Sequence, residues 1–303
     1  MVVPATLPAA APAEVLAAGR LRNSLALLRR PDIVLGLAII GFFTVCALLP
    51  GLIAAQDPLT SDPQGLTLLA EPLPPGTGGH LLGTDVLGRD HLARLVHGAR
   101  VAVLIAVVPN LLALLLATVV GVTAGLARGV VELVLMRITE SVMVLPAFLI
   151  AMAVIATFGS STWVIILTLV AISWTYPARV VYGETLRLSS MLYVEAARSM
   201  GASGLRIAGR HIVPHLRPLL VVYFTMNAAF MVLLEAGLGF LGFGVQPPTP
   251  SWGLMLAEAR DQFFYPWLIL APGVCLATLC VGFYLVGQGV QRAGQPPERR
   301  IQL

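Results

Sequence analysis

Acidic and histidine side chains are sparse in this chain, and their spacing limits the chemistry they could carry. Asp85 and Asp90 lie in the run Gly83-Thr84-Asp85-Val86-Leu87-Gly88-Arg89-Asp90. Two carboxylates can work as an acid–base pair, but each of these has an arginine four residues on, Arg89 and Arg94, the spacing of a helical ion pair. Thr84 or Asp85 can N-cap a short helix, so a structural element is expected here rather than catalysis. His211 and His215 are also four apart. Pro214 lies between them, no third ligand is near and no H-E-x-x-H occurs, so a loop contact is expected and no metal site. His80, His91 and His97 read as surface or interfacial groups. Glu235 is the only acid well inside its long apolar run, and an ionisable group there is a pathway candidate by default. Asn227 shares that run and is grouped with it; Asn110 and Asn227 also suit hydrogen bonding between helices. Glu132 and Glu140 have Arg128 and Arg137 within reach.

Several chemistries are excluded by what is missing. All nineteen basic residues are arginine. Without lysine the chain has no P-loop of its own and no Schiff-base chemistry. Cys46, Cys275 and Cys280 sit in apolar runs without a C-x-x-C, and read as small buried hydrophobes. An intramembrane protease would need paired aspartates or a Ser/His dyad deep in the apolar runs, and no Asp or His lies there. No catalytic residue is expected.

The elements that must carry these residues are membrane helices. Hydrophobic residues make up 57% of the 303, charged residues 11%, and mean hydropathy is +0.88, whereas a soluble domain is about 25% charged. Six runs reach the roughly 20 apolar residues of a spanning helix: 33–55, 99–126, 130–157, 163–182, 216–242 and 266–290. The fold class is therefore all-α and polytopic. Pro146, Pro177 and Pro272 fall in or near spans, where proline marks kinks. Leu126 to Gly129 is a tight helical hairpin. With an internal N-terminus, fifteen arginines fall inside and four outside, which puts both termini in the cytoplasm by the positive-inside rule. Residues 1–13 read as disordered and 14–30 as a short interfacial helix. The organisation expected is a tail at 1–30, a first span with its outer loop at 31–98, a core at 99–292 with a cytoplasmic loop at 183–215, and a tail at 293–303. A second outer loop, 243–265, carries Gln246, Pro247 and Trp252; its prolines preclude regular helix, and Trp252 suits an interfacial anchor.

The loop Glu195–Pro214 is the most specific stretch. Glu195-Ala196-Ala197, three residues, Gly201, nine residues and then His211-Ile212-Val213-Pro214 form a polar helix–glycine–helix element between apolar spans. Small residues permit close approach of another surface, Gly201 permits the break, and Pro214 should end the second helix and start the next span. Glu195 and Arg198 could hydrogen-bond across an interface. This pattern resembles the E-A-A cytoplasmic loop of ABC importer permeases, with His211 and Val213 in place of the general pattern's isoleucine and leucine. Thr84, Asp85, Gly88, Arg89 and Asp90 resemble the signature before the second span of dipeptide/oligopeptide permeases. Phe240 to Gly244 with Gln246, Pro247 and Trp252 resemble the stretch after their fifth span. The resemblance runs from about Leu81 to Ala293 and points to the C-type subunit of the permease pair.

That resemblance implies a type I ABC importer permease fold with six transmembrane helices in a bacterial cytoplasmic membrane. It implies a homologous permease, two ATP-binding subunits and an extracytoplasmic binding protein as partners, in a lipid membrane. ATP and Mg would be bound by the partners, and this chain would bind no cofactor or nucleic acid. Glu195, Ala196, Ala197, Arg198, Gly201, His211 and Pro214 would couple to the ATPase, and short peptides would be the cargo. A nickel or nickel-chelate importer is the alternative; an ion-coupled secondary transporter would not need the E-A-A loop.

Overall fold

The computed structural model describes residues 30–293. The expectations for residues 1–29 and for the tail beyond 293 lie outside the described residues. Every regular element among the described residues is a helix. In chain order they are α1 (Pro31–Leu48), α2 (His91–Ala127), α3 (Gly129–Val144), α4 (Ala147–Phe158), α5 (Thr162–Ser173), α6 (Thr175–Ser189), α7 (Leu192–Ser199), α8 (Gly204–Ile207), a π segment (Ala208–Ile212), α9 (Val213–Phe240), α10 (Trp252–Ala259) and α11 (Trp267–Ala293). Among the described residues only isolated β-bridges occur, all within the segment between α1 and α2 and its junction with α2.

Five units are long and apolar enough to cross a membrane: α1, α2, α5 with α6, the run Gly204–Phe240, and α11. A sixth crossing is formed if α3 and α4 are taken together, although they bend by 86°. The bend falls at Leu145-Pro146. Pro146 takes an extended backbone and N-caps α4, since its ring cannot continue a helix. The apolar run 130–157 is thus two helices at a steep angle. Nothing in hydropathy distinguishes that from a straight span.

The second helix begins at His91, eight residues before its apolar window. At 37 residues it is about 55 Å long, well beyond a hydrocarbon core of about 30 Å. Its polar first turns therefore extend past the apolar layer, and Asp90 caps them by accepting the Ala93 N–H at 2.6 Å. At its other end Arg128, with φ of 51°, turns the chain directly into α3, the tight hairpin anticipated at 126–129. Helix α2 is the central post, packed by α6, α9, α1 and α5. Small residues bring it close to α6: a Cβ on Gly121 would sit 2.7 Å from the Ala178 carbonyl, and one on Gly125 2.6 Å from the Thr185 side chain. With no hydrophobic drive between helices in lipid, such close backbone packing supplies the association energy.

The core is divided along the bundle into three clusters. One cluster joins Phe43, Val96, Ala99, Trp252 and Phe283; a second joins Ile105, Ile155, Ile166, Met231 and Leu238; a third closes the end near α7 with Val181, Val194, Ile207, Ile212 and Leu216. The loop 243–265 departs from expectation, since α10 (Trp252–Ala259) is a regular helix beyond its prolines, and so does Trp252. It is not an interfacial anchor but a buried residue, with its ring edge-on to Phe43 at 5.3 Å. Its Nε1–H donates to the Leu95 carbonyl at 2.9 Å. Gly98 makes the room, since a Cβ there would meet the indole at 2.8 Å. We expect Trp252→Ala to lower the unfolding free energy by about 3–5 kcal/mol, read as reduced thermal stability in detergent.

Candidate functional site

The end of the bundle opposite residues 54–90 carries the helix–glycine–helix element. Helix α7 buries Val194 and Ala197 and leaves Glu195, Ala196 and Arg198 exposed. It stops at a Schellman turn: the Gly201 N–H donates to the Arg198 carbonyl and the Ala202 N–H to the Ala197 carbonyl, each at 3.0 Å. Gly201 takes φ of +80°, and a Cβ there would meet nothing within 4 Å. Its glycine answers a backbone requirement, not crowding within this chain. Ser203 then caps α8, its hydroxyl accepting the Arg206 N–H.

Pro214 departs from expectation. The helix does not end there but runs from Gly204 to Phe240, with Pro214 in the first turn of α9 and the π segment just before it. A proline at this place removes one N–H donor from the ladder, and the widened π turn accommodates it. The second helix of the loop is therefore continuous with a span. His211 and His215 flank that junction. The His215 Nδ1–H donates to the His211 carbonyl at 2.6 Å, so one ring nitrogen is already engaged in a local contact. Among the described residues no group of three His, Cys, Asp or Glu side chains converges as a metal set.

Three apolar residues on this element escaped the sequence reading. Leu192, Met200 and Leu205 are 84%, 82% and 89% exposed. They lie on α7, on the turn after it and on α8, in the same element as the exposed Glu195 and Arg198. Apolar side chains at scattered positions carry no periodic signal, and only the fold shows that they share one end.

At the other end, residues 54–90 and 243–265 form a folded cap. Thr84 is buried, with its hydroxyl donating to the Gly65 carbonyl and accepting the Leu73 N–H at 2.8 Å. Neither Thr84 nor Asp85 caps a helix; the cap of α2 is Asp90. Asp85 accepts the N–H groups of Leu87 and Arg89 at 2.8 and 3.0 Å. It holds Arg89 Nε at 2.7 Å and is also bonded by Arg94. Both guanidiniums reach Glu258 on α10, Arg94 at 2.6 Å and Arg89 at 3.3 Å. Gly88 takes φ of +73° in the turn between Asp85 and Arg89. Arg94 thus pairs with Asp85 and not with Asp90, whose partner is His80 at 2.8 Å. His80 and His91 are buried, not surface groups. Gln246 donates to the carbonyls of Gly242 and Gly244, at 3.1 Å each, and braces the turn after α9. Pro247 follows in that loop, joined to Pro248 by a cis bond.

Burial pushes the Asp85 carboxyl up, but Arg94, the Arg89 N–H and guanidinium and the Leu87 N–H outweigh it and hold the group below its ordinary value. Because its folded pKa lies below the unfolded one, Asp85 stabilises the cap fully above the usual aspartate range, and that contribution is lost as pH falls through the lowered value. Thermal unfolding of the purified protein between pH 6 and pH 3 should show a stability loss in the acid range. The loss should be smaller in Asp85→Asn.

The remaining site residues are on α9. Asn227 donates to Asn110 Oδ1 at 2.9 Å, and Asn110 donates to the Phe224 carbonyl at 2.7 Å, a relay that ties α9 to α2. Glu235 is buried beneath the loop 243–251, close to the Val245 backbone and Ser251. Glu132 is bonded by the Tyr182 hydroxyl, and Glu140 is shared by Arg137 and Arg179 at 3.3 Å.

Residues 117–293 match the family described as "Binding-protein-dependent transport system inner membrane component". The chain belongs to that family. This permease is 36% identical over 221 residues to the glutathione transport system permease protein GsiD of Pectobacterium atrosepticum, covering 73% of each chain. It is 33% identical to the di/tripeptide transport system permease protein DppC of Pseudomonas aeruginosa, covering 86% of each. The oligopeptide transport system permease protein OppC of Haemophilus influenzae is 32% identical over 73% of this chain and 72% of its own. In fold the permease is similar to a chain of the MetNI methionine ABC transporter in an inward-facing structure, with a TM-score of 0.53 at 18% identity, over 67% of this chain and 97% of that one. The permease is accordingly a multi-pass membrane subunit of an ABC importer. ATP hydrolysis belongs to partner subunits, in keeping with a chain that has no lysine for a P-loop.

Proposed function

We propose that this permease forms half of a heterodimeric pore that imports short peptides across the cytoplasmic membrane by alternating access. The exposed surface around α7 carries this reading: Leu192, Glu195, Arg198, Met200 and Leu205 are exposed on α7, on the turn after it and on α8, and α8 runs through the π segment into α9. An apolar patch rimmed by charge suits a protein partner. The partner proposed is one of two ATP-binding subunits, each holding ATP and Mg. Closure of those subunits moves α7, and with it the spans, so that the pore opens outward. In this orientation both termini and the 183–215 loop are cytoplasmic. The cap at 54–90 and 243–265 faces outward, where an extracytoplasmic binding protein delivers cargo.

Peptide cargo is proposed from the relatives, whose names specify glutathione, di- and tripeptide and oligopeptide transport. Glu235 and Asn227 are proposed to act beside the path: Asn227 through its half-buried amide, Glu235 by holding the loop 243–251 over the outer end of α9. The test is uptake by the complete complex in liposomes, with di- to hexaalanine and nickel chelates as candidate cargo. ATP-dependent peptide uptake is the expected result. Nickel uptake without peptide uptake would replace the cargo, and uptake by this chain alone would overturn the ABC coupling scheme.

A further inference from the structure

Helix α7 is held to its own spans by few contacts, and one of them is not apolar packing. Val194 enters the cluster of Ile207, Ile212 and Leu216. Beside it, the Tyr193 ring lies against two histidines: 5.8 Å from the His215 ring with the planes 28° apart, and 6.0 Å from the His211 ring at 45°. His211 is in the π segment and His215 in the first turn of α9, so the tyrosine bridges the place where the helical hydrogen-bond register changes. The histidines are tied to each other by the His215 Nδ1–H bond to the His211 carbonyl at 2.6 Å. One ring on α7 therefore touches both sides of the junction.

From this geometry we infer that Tyr193, stacked on His215 and tilted against His211, is a positioning residue that passes movement of α7 to α9. The inference rests on the coupling role proposed for the 183–215 loop. Val194 and Ala197, three apart, bury one stripe of α7, and a two-turn helix can roll about such a stripe because apolar packing is non-directional. A second contact, one residue along the chain and on a different part of the helix surface, removes that rotation. Aromatic rings suit the role, since a stacked pair favours particular ring offsets and resists sliding out of them. His215 has the same contribution to make from the α9 side. Tyr193 and Glu195 are two residues apart on a helix and so face different directions. The partner-facing surface and the stacking surface are consequently separate, and one can be altered without removing the other.

The test uses the complete importer, reconstituted with its partner permease, ATP-binding subunits and binding protein. Uptake of radiolabelled alanine peptides and ATP hydrolysis are measured on the same vesicles. Tyr193→Ala and His215→Ala should each lower peptide moved per ATP by about three- to tenfold, the range of one aromatic pair, while the ATP-binding subunits still co-purify. Tyr193→Phe and His215→Phe should restore the ratio. The double alanine variant should be no worse than the poorer single one, since the two residues form one contact. An unchanged ratio in Tyr193→Ala, a Tyr193→Phe variant as poor as alanine, or additive losses would overturn the inference. Loss of the ATP-binding subunits from Tyr193→Ala would also overturn it, by making Tyr193 a docking contact. Gly201→Trp separates the two levels: if it uncouples while Tyr193→Ala does not, only the positioning role fails, and if neither uncouples, the coupling reading fails with it.

Discussion

Gly201→Trp should abolish ATP-driven uptake while leaving the membrane fold intact. At this position φ is +80°, and a residue with a Cβ costs about 1–2 kcal/mol in that conformation. The backbone cost can be met by local unwinding of the turn between α7 and α8. The larger effect is in the complex. Space around Gly201 is open within this chain, on a surface that the coupling proposal gives to an ATP-binding subunit, and an indole there keeps α7 from seating. Gly201→Asn is the informative companion, because asparagine tolerates the left-handed region and adds little bulk. We expect Gly201→Asn to keep most uptake, Gly201→Ala to lose part through the backbone, and Gly201→Trp to lose all. Uptake per ATP in vesicles, with thermal unfolding as a fold control, separates the three. Full activity in Gly201→Trp would remove the coupling reading.

The second large effect is expected in the cap. Asp85→Asn conserves shape and can still accept the Leu87 and Arg89 N–H groups, but it leaves Arg89 and Arg94 with Glu258 as their shared acid. Arg94 is 2% exposed. Removing one partner from a buried ion network costs about 3–5 kcal/mol, and partial exposure of Glu258 places Asp85→Asn toward the lower end of that range. Adding Arg94→Met to Asp85→Asn should recover part of the loss, since the excess buried charge goes with the guanidinium. A double variant less stable than either single one, by thermal unfolding at pH 7, would mean that the network acts through shape and not through charge. Limited proteolysis gives a second readout: cleavage within residues 54–90 of the purified protein should speed up in Asp85→Asn.

The spans, the hairpin at Arg128 and the break at Gly201 could be read from residues alone, because each is a local matter. Apolar run length, a glycine between two helical stretches and a proline at 146 all act within a few residues of themselves. What escaped depends on residues far apart. Arg94 pairs with Asp85 and with Glu258, the latter 164 positions away, so the i,i+4 spacing of Asp90 and Arg94 suggested a pair that the fold does not make. Trp252 sits among prolines and looked interfacial. Its burial depends on Gly98 and Phe43, from two helices that precede it by more than a hundred residues. The steep turn between α3 and α4 was legible as a kink at Pro146 but not as two helices, since hydropathy registers composition and not direction. Pro214 was read as a stop for the same reason that prolines usually are, and the π segment is the tertiary answer to it. Glu195, Arg198 and Gly201 were recognisable by pattern, whereas Tyr193 was not, because its partners follow a turn, a short helix and a change of register.

The cap also sets an order of assembly. Asp85, Arg89 and Arg94 leave the ribosome with the second helix, but Glu258 is made only after α9 is complete. Until then two guanidiniums share a single carboxylate, and Trp252 has yet to cover Gly98. A chain arrested between α2 and α10 therefore carries an unfinished cap, with surplus positive charge and Gly98 uncovered. The permease in effect reports its own progress: α9 and α10 must arrive before the segment 54–90 can close.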